Sequence, residues 1–340
     1  MANRSKVIIP ENENNHKSRL IKSFQAIENL EDYTIKPEGV WGSTATIKIV
    51  YEEDKEDRFN RGEKYLYTSK YDVEFNSDTL DFEFNIPFDD NLEANEGEIV
   101  IYNLSRDTIA ILQKIIKQRD KNSKKEVLTI EAGYEGDTGV IFKGYMTKVF
   151  TNQEGVDKVT TIKIVNDIEC KENLELSESG NASTILNKLI DMLVSKTNLT
   201  KAKIKLARDH TYSESVSIDK SLESAIKDFS EVCGVSTIIS KGNIYCCKLS
   251  EMDDVGVFDV SEDTGMIDSP QPFTEEISVE DETYTVEGFE IDMLLQHRMS
   301  VGAVINLKSR DYSGTYYVQS GEHTFNESES VTRIKVVEVK

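Results

Sequence analysis

Period-two alternation of apolar and polar positions begins at Ala45. Ala45, Ile47, Ile49 and Tyr51 alternate with Thr46, Lys48 and Val50, and Tyr71, Val73 and Phe75 alternate with Asp72 and Glu74. The acidic run from Glu52 to Glu63 between them reads as a loop. After a turn at Asn76-Ser77-Asp78-Thr79, the residues Leu80, Phe82, Phe84 and Ile86 alternate with Asp81, Glu83 and Asn85 until Pro87 ends the run. Successive side chains on a strand point to opposite faces, so aromatics on one face and charges on the other predict a half-buried antiparallel hairpin.

Gly97 to Leu104 predicts a further strand, and the pattern then changes to a helical one. Ser105 is a good N-cap, Asp107 suits the first turn, and Ile109, Leu112, Ile115 and Ile116 form one apolar stripe ending near Arg119. A short one-sided helix of this kind is expected to pack on a sheet or plug a barrel end. Strands follow at about Val127–Gly133, Val140–Val149 and Lys158–Val165, with a hairpin around Gly136-Asp137-Thr138-Gly139. Six or seven short strands with a single helix imply a closed barrel or a sandwich.

At Lys171 the pattern changes again. Asn181 or Ser183 is placed to cap a helix carrying Ile185, Leu186, Leu189, Ile190 and Leu193. A short strand at Lys203–Leu206 precedes a second helix that starts near Asp219 to Ser221 and turns Leu222, Ala225, Ile226 and Phe229 inward. Gly234 suits the left-handed position after it, and Val235–Ile239 with Ile244–Leu249 reads as a hairpin across Lys241-Gly242-Asn243. Together these make a compact α/β module.

From Glu251 to Glu290 there are fourteen acidic residues and no Lys or Arg, with Ser269-Pro270-Gln271-Pro272 reading as a linker or an extended crossing. Strands are expected at Thr283–Val286, Phe289–Met293, Ala303–Leu307, Thr315–Ser320, His323–Asn326 and Val331–Val339. The polar stretch before Ala45 carries only one weak helical face, Leu20, Phe24 and Ile27, and reads as an extension or arm.

The 340 residues suffice for two or three domains, and the net charge of −22 changes the picture of what the chain binds. Gripping nucleic acid needs Lys and Arg to release phosphate counterions, and docking on anionic lipid needs the same sign of charge, so both are disfavoured. No apolar run is long enough for a membrane helix, and Val7-Ile8-Ile9 is too short for a signal peptide. Cys170, Cys233, Cys246 and Cys247 form no C-x-x-C pair and read as reduced thiols of a protein made in the cytoplasm.

Candidate chemistry is sparse. His16, His210, His297 and His323 are far apart along the chain, and no metalloprotease, nucleophile-elbow, P-loop or dinucleotide motif is present. Glu275-Glu276 and Glu280-Asp281-Glu282 offer carboxylate pairs for glycoside hydrolysis, but with one tryptophan, Trp41, a solvated acidic face accounts for them better. Asp253-Asp254 and Asp259–Asp263 lack the spacing of a calcium loop. Gly133, Gly136 and Gly139 sit in a hairpin without a helix behind them, so turn glycines explain them better than a phosphate cradle. Cys246 and Cys247 should point to opposite faces of one strand, as structural thiols. The expectation is no catalytic residue, no metal and no cofactor.

Three passages, in this order and spacing, resemble the baseplate hub proteins of contractile phage tails and phage-tail-like bacteriocins, a family that includes late-control D-type proteins and the hub half of type VI secretion spikes. They are GEIVIYNLSRDTIAILQK with LTIEAGYEGDTGVIFKGYMTKV and VTTIKIVND, then SLESAIKDFSEVCGVSTIISKGNIYCCKL, then IDMLLQHRMSVGAVINLKSRDYSGTYYVQSGEHTFNESESVTRIKVVEV. The resemblance implies a mainly β fold with an α+β insert: two tail-tube-like antiparallel β-barrels joined by a small α/β module. The expected organisation is a polar N-terminal arm at 1–43, a first barrel at 44–170 with its helix at 105–119, the α/β module at 171–250 and a second barrel at 251–340.

It also implies a structural role in a virion or tail-like particle. Three copies would set six barrels in a ring that joins a hexameric tail tube to a trimeric central spike and initiates the tube. The implied partners are further copies in a homotrimer, the tail tube protein, the central spike, the tape-measure protein and baseplate wedge proteins. DNA would pass an acidic lumen without specific binding, and no membrane anchoring is implied. The arm at 1–43 is expected to reach a neighbouring sheath, wedge or tube subunit. A tail-associated wall hydrolase and a glycan- or receptor-binding tail protein are the alternatives. The first needs convergent carboxylates in a cleft, and the second needs exposed aromatic platforms.

Overall fold

The computed structural model describes residues 42–58, 64–92, 95–119, 126–134, 136–166, 173–252, 256–279 and 282–338. Residues 1–41 of the proposed arm, with His16 and Trp41, and Cys170, Asp253-Asp254 and Glu280-Asp281 lie outside them, while Ser43 opens the first strand.

The first β unit contains β1 (Ser43–Arg58), β2 (Lys64–Asn76), β3 (Phe82–Phe88), β4 (Glu96–Tyr102), helix α1 (Arg106–Arg119), β5 (Glu126–Tyr134), β6 (Asp137–Glu154) and β7 (Asp157–Val165). Its strands are neighbours in the order β3-β4-β7-β6-β5-β1-β2, all antiparallel. The sheet rolls over so that Ile47 and Ile49 on β1, Phe84 and Ile86 on β3, and Ile99 and Ile101 on β4 share one core. The alternation at 45–51 and 82–86 is therefore real: the apolar residues are buried and Lys48 and Asn85 are exposed. Helix α1 packs along β6 and adds Leu112 and Ile115, both fully buried, with Ile109 and Ile116 partly buried beside them. Each such side chain contributes about 1.5–3 kcal/mol through its removal from water. Ser105 caps the helix, its Oγ accepting from Thr108 N at 3.1 Å. On the opposite side of the helix Lys117 is exposed, while Lys114 is partly buried and donates to the hydroxyl of Tyr71 on β2. The side chain of Gln118 lies outside the described residues.

The acidic run expected as a loop is mostly strand. β1 and β2 stay paired from Thr46↔Asn76 out to Arg58↔Lys64. The backbone ladder runs without a break through this charged segment, which the sequence does not mark with apolar alternation.

The middle unit contains β8 (Asn173–Asn181), α2 (Ala182–Lys196), β9 (Thr200–Ile204), β10 (Thr211–Ser221), α3 (Leu222–Val232), β11 (Ser236–Ser240) and β12 (Asn243–Cys247). The helices pack on each other, and their inward residues Leu186, Leu189, Ile190, Ala225 and Ile226 build a core separate from that of the first unit. Strands β8 and β10 were not expected. They form a two-stranded ribbon of mixed polar sequence, such as Glu175-Leu176-Ser177-Glu178, and each ends where a helix begins. The helix caps divide instructively. Ser221 caps α3 through its own chain neighbourhood, accepting from Ser224 N at 3.2 Å. Asn181 occupies the N-cap position of α2 without a side-chain cap bond. There the acceptor is Asp209, which takes bonds from Ser183 N at 3.0 Å and Ser183 Oγ at 2.7 Å.

The second β unit contains β13 (Val257–Ser261), β14 (Gln271–Val279), β15 (Glu282–Leu294), β16 (Val304–Lys308), β17 (Ser313–Phe325) and β18 (Ser330–Glu338). Strands β13 and β14 were missed. The segment expected as a linker across Ser269–Pro272 runs into β14, an edge strand, where a proline costs no ladder bond on its free side. The pairs expected at 283–286 with 289–293 and at 315–320 with 323–326 are single long strands, β15 and β17. A one-turn 3₁₀ helix at Glu262–Thr264 then carries the chain from the β13 edge to the far side of β15, where Met266 bridges Met293. The two edges of this sheet are thereby brought round a core of Val260, Ile291, Ile305, Val318, Ile334 and Val336.

The two β units are one hydrogen-bonded sheet of 13 strands. β17 pairs with β3 from Gly321↔Phe88 to Phe325↔Phe84, and Phe325 enters the first unit's core stacked on Phe84 at 5.3 Å. Glycine and a β-bulge recur where the long hairpins bend. Gly144 lies near the bulge between Met146 and Lys148, and Gly321 near the one between Val318 and Ser320. At Gly144, Gly288 and Gly321 a Cβ would overlap a carbonyl oxygen of the adjacent strand, and each glycine is covered by a phenylalanine ring, of Phe142, Phe273 and Phe88 respectively. Missing side chains at the bends let the strands approach, and the rings cover the exposed backbone.

Candidate assembly surfaces

The residues weighed for chemistry do not converge. Glu275 pairs with Lys335 at 3.1 Å on an exposed strand face, and the side chains of Glu276 and Glu282 lie outside the described residues. Asp259 accepts from Asn306 at 3.0 Å, while Asp263 is exposed on the 3₁₀ turn. No group of three or more metal-ligating side chains occurs among the described residues. Cys246 packs into the middle unit's core and Cys247 into a separate cluster with Met252 and Val301, so their opposite directions are as expected. Burial pushes Cys233 up to about 11, aided by the charge of Asp209 and by Cys246, and burial also raises Cys246. These are unreactive thiols.

Gly133 and Gly136 have positive φ of 154° and 85°, as hairpin glycines should. Gly139 serves a different purpose, since a Cβ there would overlap the ring of His297 from the second unit. Distance along the chain had hidden this: where the three units meet, His323 is fully buried and His297 is partly buried.

The extended surfaces carry the more distinctive features. The main path of the 13-stranded sheet ends in β2 on one side and β14 on the other, with β13 a further edge strand beside β16, and each of these three presents one edge unpaired among the described residues. Rows of backbone donors and acceptors of this kind are templates for pairing with another chain.

A cleft of about 810 Å³ opens where the β2–β3 turn, the end of β4, the tip of the β6–β7 hairpin and the β17–β18 turn come together. Asp78, Asp81, Glu83, Asp157, Glu327 and Glu329 line it, and no Lys or Arg does. Tyr102 donates to Glu83 at 2.9 Å, and that bond, partial burial and the charges of Glu83, Glu154 and Glu327 raise its pKa. The field in the cleft is therefore negative, as the net charge leads one to expect. The six acids come from three separate stretches of chain, 78–83, 157 and 327–329, so no sequence motif announces them. A wall of this sign repels phosphate.

No family model matches the chain, and no curated protein does. Solved structures do. A tail protein from Neisseria meningitidis MC58 is similar with a TM-score of 0.51 at 8% identity, over 86% of this chain and 96% of that one. A 43 kDa tail protein of prophage MuSo2 from Shewanella oneidensis is similar with a TM-score of 0.51 at 7% identity, over 85% and 98%. An E. coli component of the type VI secretion system, described as structurally similar to the T4 bacteriophage tail proteins gp27 and gp5, is similar with a TM-score of 0.51 at 9% identity, over 77% and 74%. At such identities the likeness is one of fold: mostly antiparallel β with few helices, shared with phage tail and type VI secretion proteins.

Proposed function

We propose that this chain is a structural baseplate hub of a contractile tail, and that it works by assembly and not by turnover. The observation that carries this reading is the β3–β17 pairing, which sets two β units side by side in one sheet whose two ends stay open. Three such chains present six β units in a pseudo-hexameric ring. The ring matches a hexameric tail tube on one face and a trimeric central spike on the other, and it gives tube polymerisation its starting template. The 44–170 and 251–340 segments are then the two tube-like domains, with 171–250 between them as a spacer.

The partners of such a hub are its own copies, the tube protein, the spike, the tape-measure protein and wedge proteins. The segment at 1–43 serves as an arm toward a neighbouring subunit. The particle is a virion or a tail-like bacteriocin, and in a virion an acidic passage lets DNA slide through without sticking. The fold it shares with tail proteins supports a binding role.

The test is symmetry. The purified chain should form a trimer by mass photometry. Mixed with its tube protein, it should appear in electron micrographs as a ring at one end of hexameric tubes and shorten the lag of tube growth. A stable monomer that leaves tube growth unchanged and cleaves peptidoglycan would sink the reading in favour of a wall hydrolase.

A further inference from the structure

The three units meet at one small, partly buried point. The β11–β12 turn holds Lys241 at φ 50° and Gly242 at φ 80°, which aims the buried Lys241 amine at the second unit, where it donates to the carbonyl of His297 at 2.6 Å. The neighbouring Arg298 reaches the first unit and pairs with Asp137 at 2.6 Å. The imidazole of His297 rests on Gly139, with Nε2 3.9 Å from Asp137. Beneath them, His323 on β17 is fully buried, bonded through Nδ1 to Thr332 at 2.9 Å. A cavity of about 20 Å³, room for roughly one water, is lined by Lys241, His323, Met299 and residues of β3 and β6.

The ionisable groups here are unbalanced. The first unit contributes Asp137, and the stem of Lys143 packs on Gly242. The middle unit contributes Lys241, and the second contributes His297, Arg298 and His323. Glu126, buried on β5, lines an adjacent cavity with Lys143 and Gly242 and accepts from Met146 N at 2.7 Å. Among the described residues Asp137 is the carboxylate that faces His297, and it also pairs with Arg298.

We propose that this meeting point is an acid-sensitive latch. Proton uptake by His297 and His323 releases the loop at 295–303 from the Asp137–Gly139 hairpin and the Lys241–Gly242 turn, while the three cores stay folded. Burial, and then the neighbouring cations, push His297 down to about 4 and His323 to about 3 in the closed state. A base whose pKa is lowered in the closed form binds its proton better in the open form, so falling pH favours opening below the ordinary value of 6.5. Between about pH 7.5 and about pH 4.5 falling pH therefore shifts the equilibrium toward the open form.

The test is hydrogen exchange of the full chain at those two pH values, corrected for intrinsic rates. The acid sample should lose protection at 295–303, 137–139 and 241–243 and keep it in β4, β18 and α2. The double substitution His297→Gln with His323→Gln should retain protection at the junction in acid. Histidine ring NMR on the unmodified chain gives an independent reading, with His297 taking up its proton over the same pH range in which the loop loses protection. The latch is overturned by an acid sample that stays protected, by cores that open together with the junction, by a double variant that opens as the native chain does, or by a His297 that titrates at its ordinary value with the loop still protected.

Discussion

Gly321 of β17 stands directly opposite Phe88 of β3, and the phenylalanine ring covers the glycine where a side chain would otherwise sit. This pair closes one end of the ladder that joins the two β units. A Cβ at Gly321 would come within 2.6 Å of the Phe88 ring and would also overlap the Arg333 carbonyl. Gly321→Ala should therefore destabilise the chain by about 1–3 kcal/mol through overpacking. Urea denaturation with both units monitored checks this. A variant as stable as the parent would show that the strands part without cost.

Helix α1 is held by its buried stripe and not by its charges. Leu112 is fully buried in the first core, whereas Lys117 on the other side is exposed. Leu112→Ala should cost about 2–5 kcal/mol and Lys117→Ala no more than about 0.5 kcal/mol, measured by the same denaturation. Equal effects would place the helix away from the sheet.

The cap of α2 predicts a pH dependence. The bonds from Ser183 hold the Asp209 carboxyl below its ordinary value. Because its folded pKa is depressed, its contribution is present above the unfolded value of 3.8 and is lost as pH falls through the lower folded value. Exchange at Ser183 and the next turn should accelerate below about pH 4, and Asp209→Ala should remove that dependence by opening the turn at all pH values. The acid-induced change in corrected exchange between about pH 5 and about pH 3 is the quantity to compare in the two proteins.

Cys233, Cys246 and Cys247 should resist alkylation in the native state near pH 8, because all three are buried and Cys233 and Cys246 are held protonated. Site-resolved mass spectrometry should find them labelled only after denaturation. Labelling of any of the three under native conditions would mean that the middle unit opens readily.

Much of the fold was legible because local physics leaves local marks. Ala45 to Tyr51 and Phe82 to Ile86 alternate since one face of each strand is buried. Ser105 and Ser221 cap helices within their own chain neighbourhood, and Gly234 takes the left-handed φ of 68° after α3. Where apolar positions are few and set among charged and small polar residues, the signal was weak. β8 and β10 pair as a ribbon in which Leu174, Leu176, Val216 and Ile218 pack on the middle core between polar neighbours, and the outer β1–β2 hairpin carries the acids that had read as a loop. Of the candidate surfaces, only the sign of the charge could be read in advance. The acidic cleft gathers residues from 78 to 329 and has no compact motif.

The sequence by itself determined the β-rich character, the three helices among the described residues and their inward faces, the acidic surface and the structural role of Cys246 and Cys247, since each depends on residue type and near-neighbour spacing. Only the tertiary structure decided that β3 pairs with β17, that Asp209 and not Asn181 caps α2, and that Lys241, His297 and Asp137 meet at one point. Those contacts span about thirty to more than two hundred residues. They form because whole sheets dock and exclude water, and no stretch of sequence a few residues long records which distant partner it will meet.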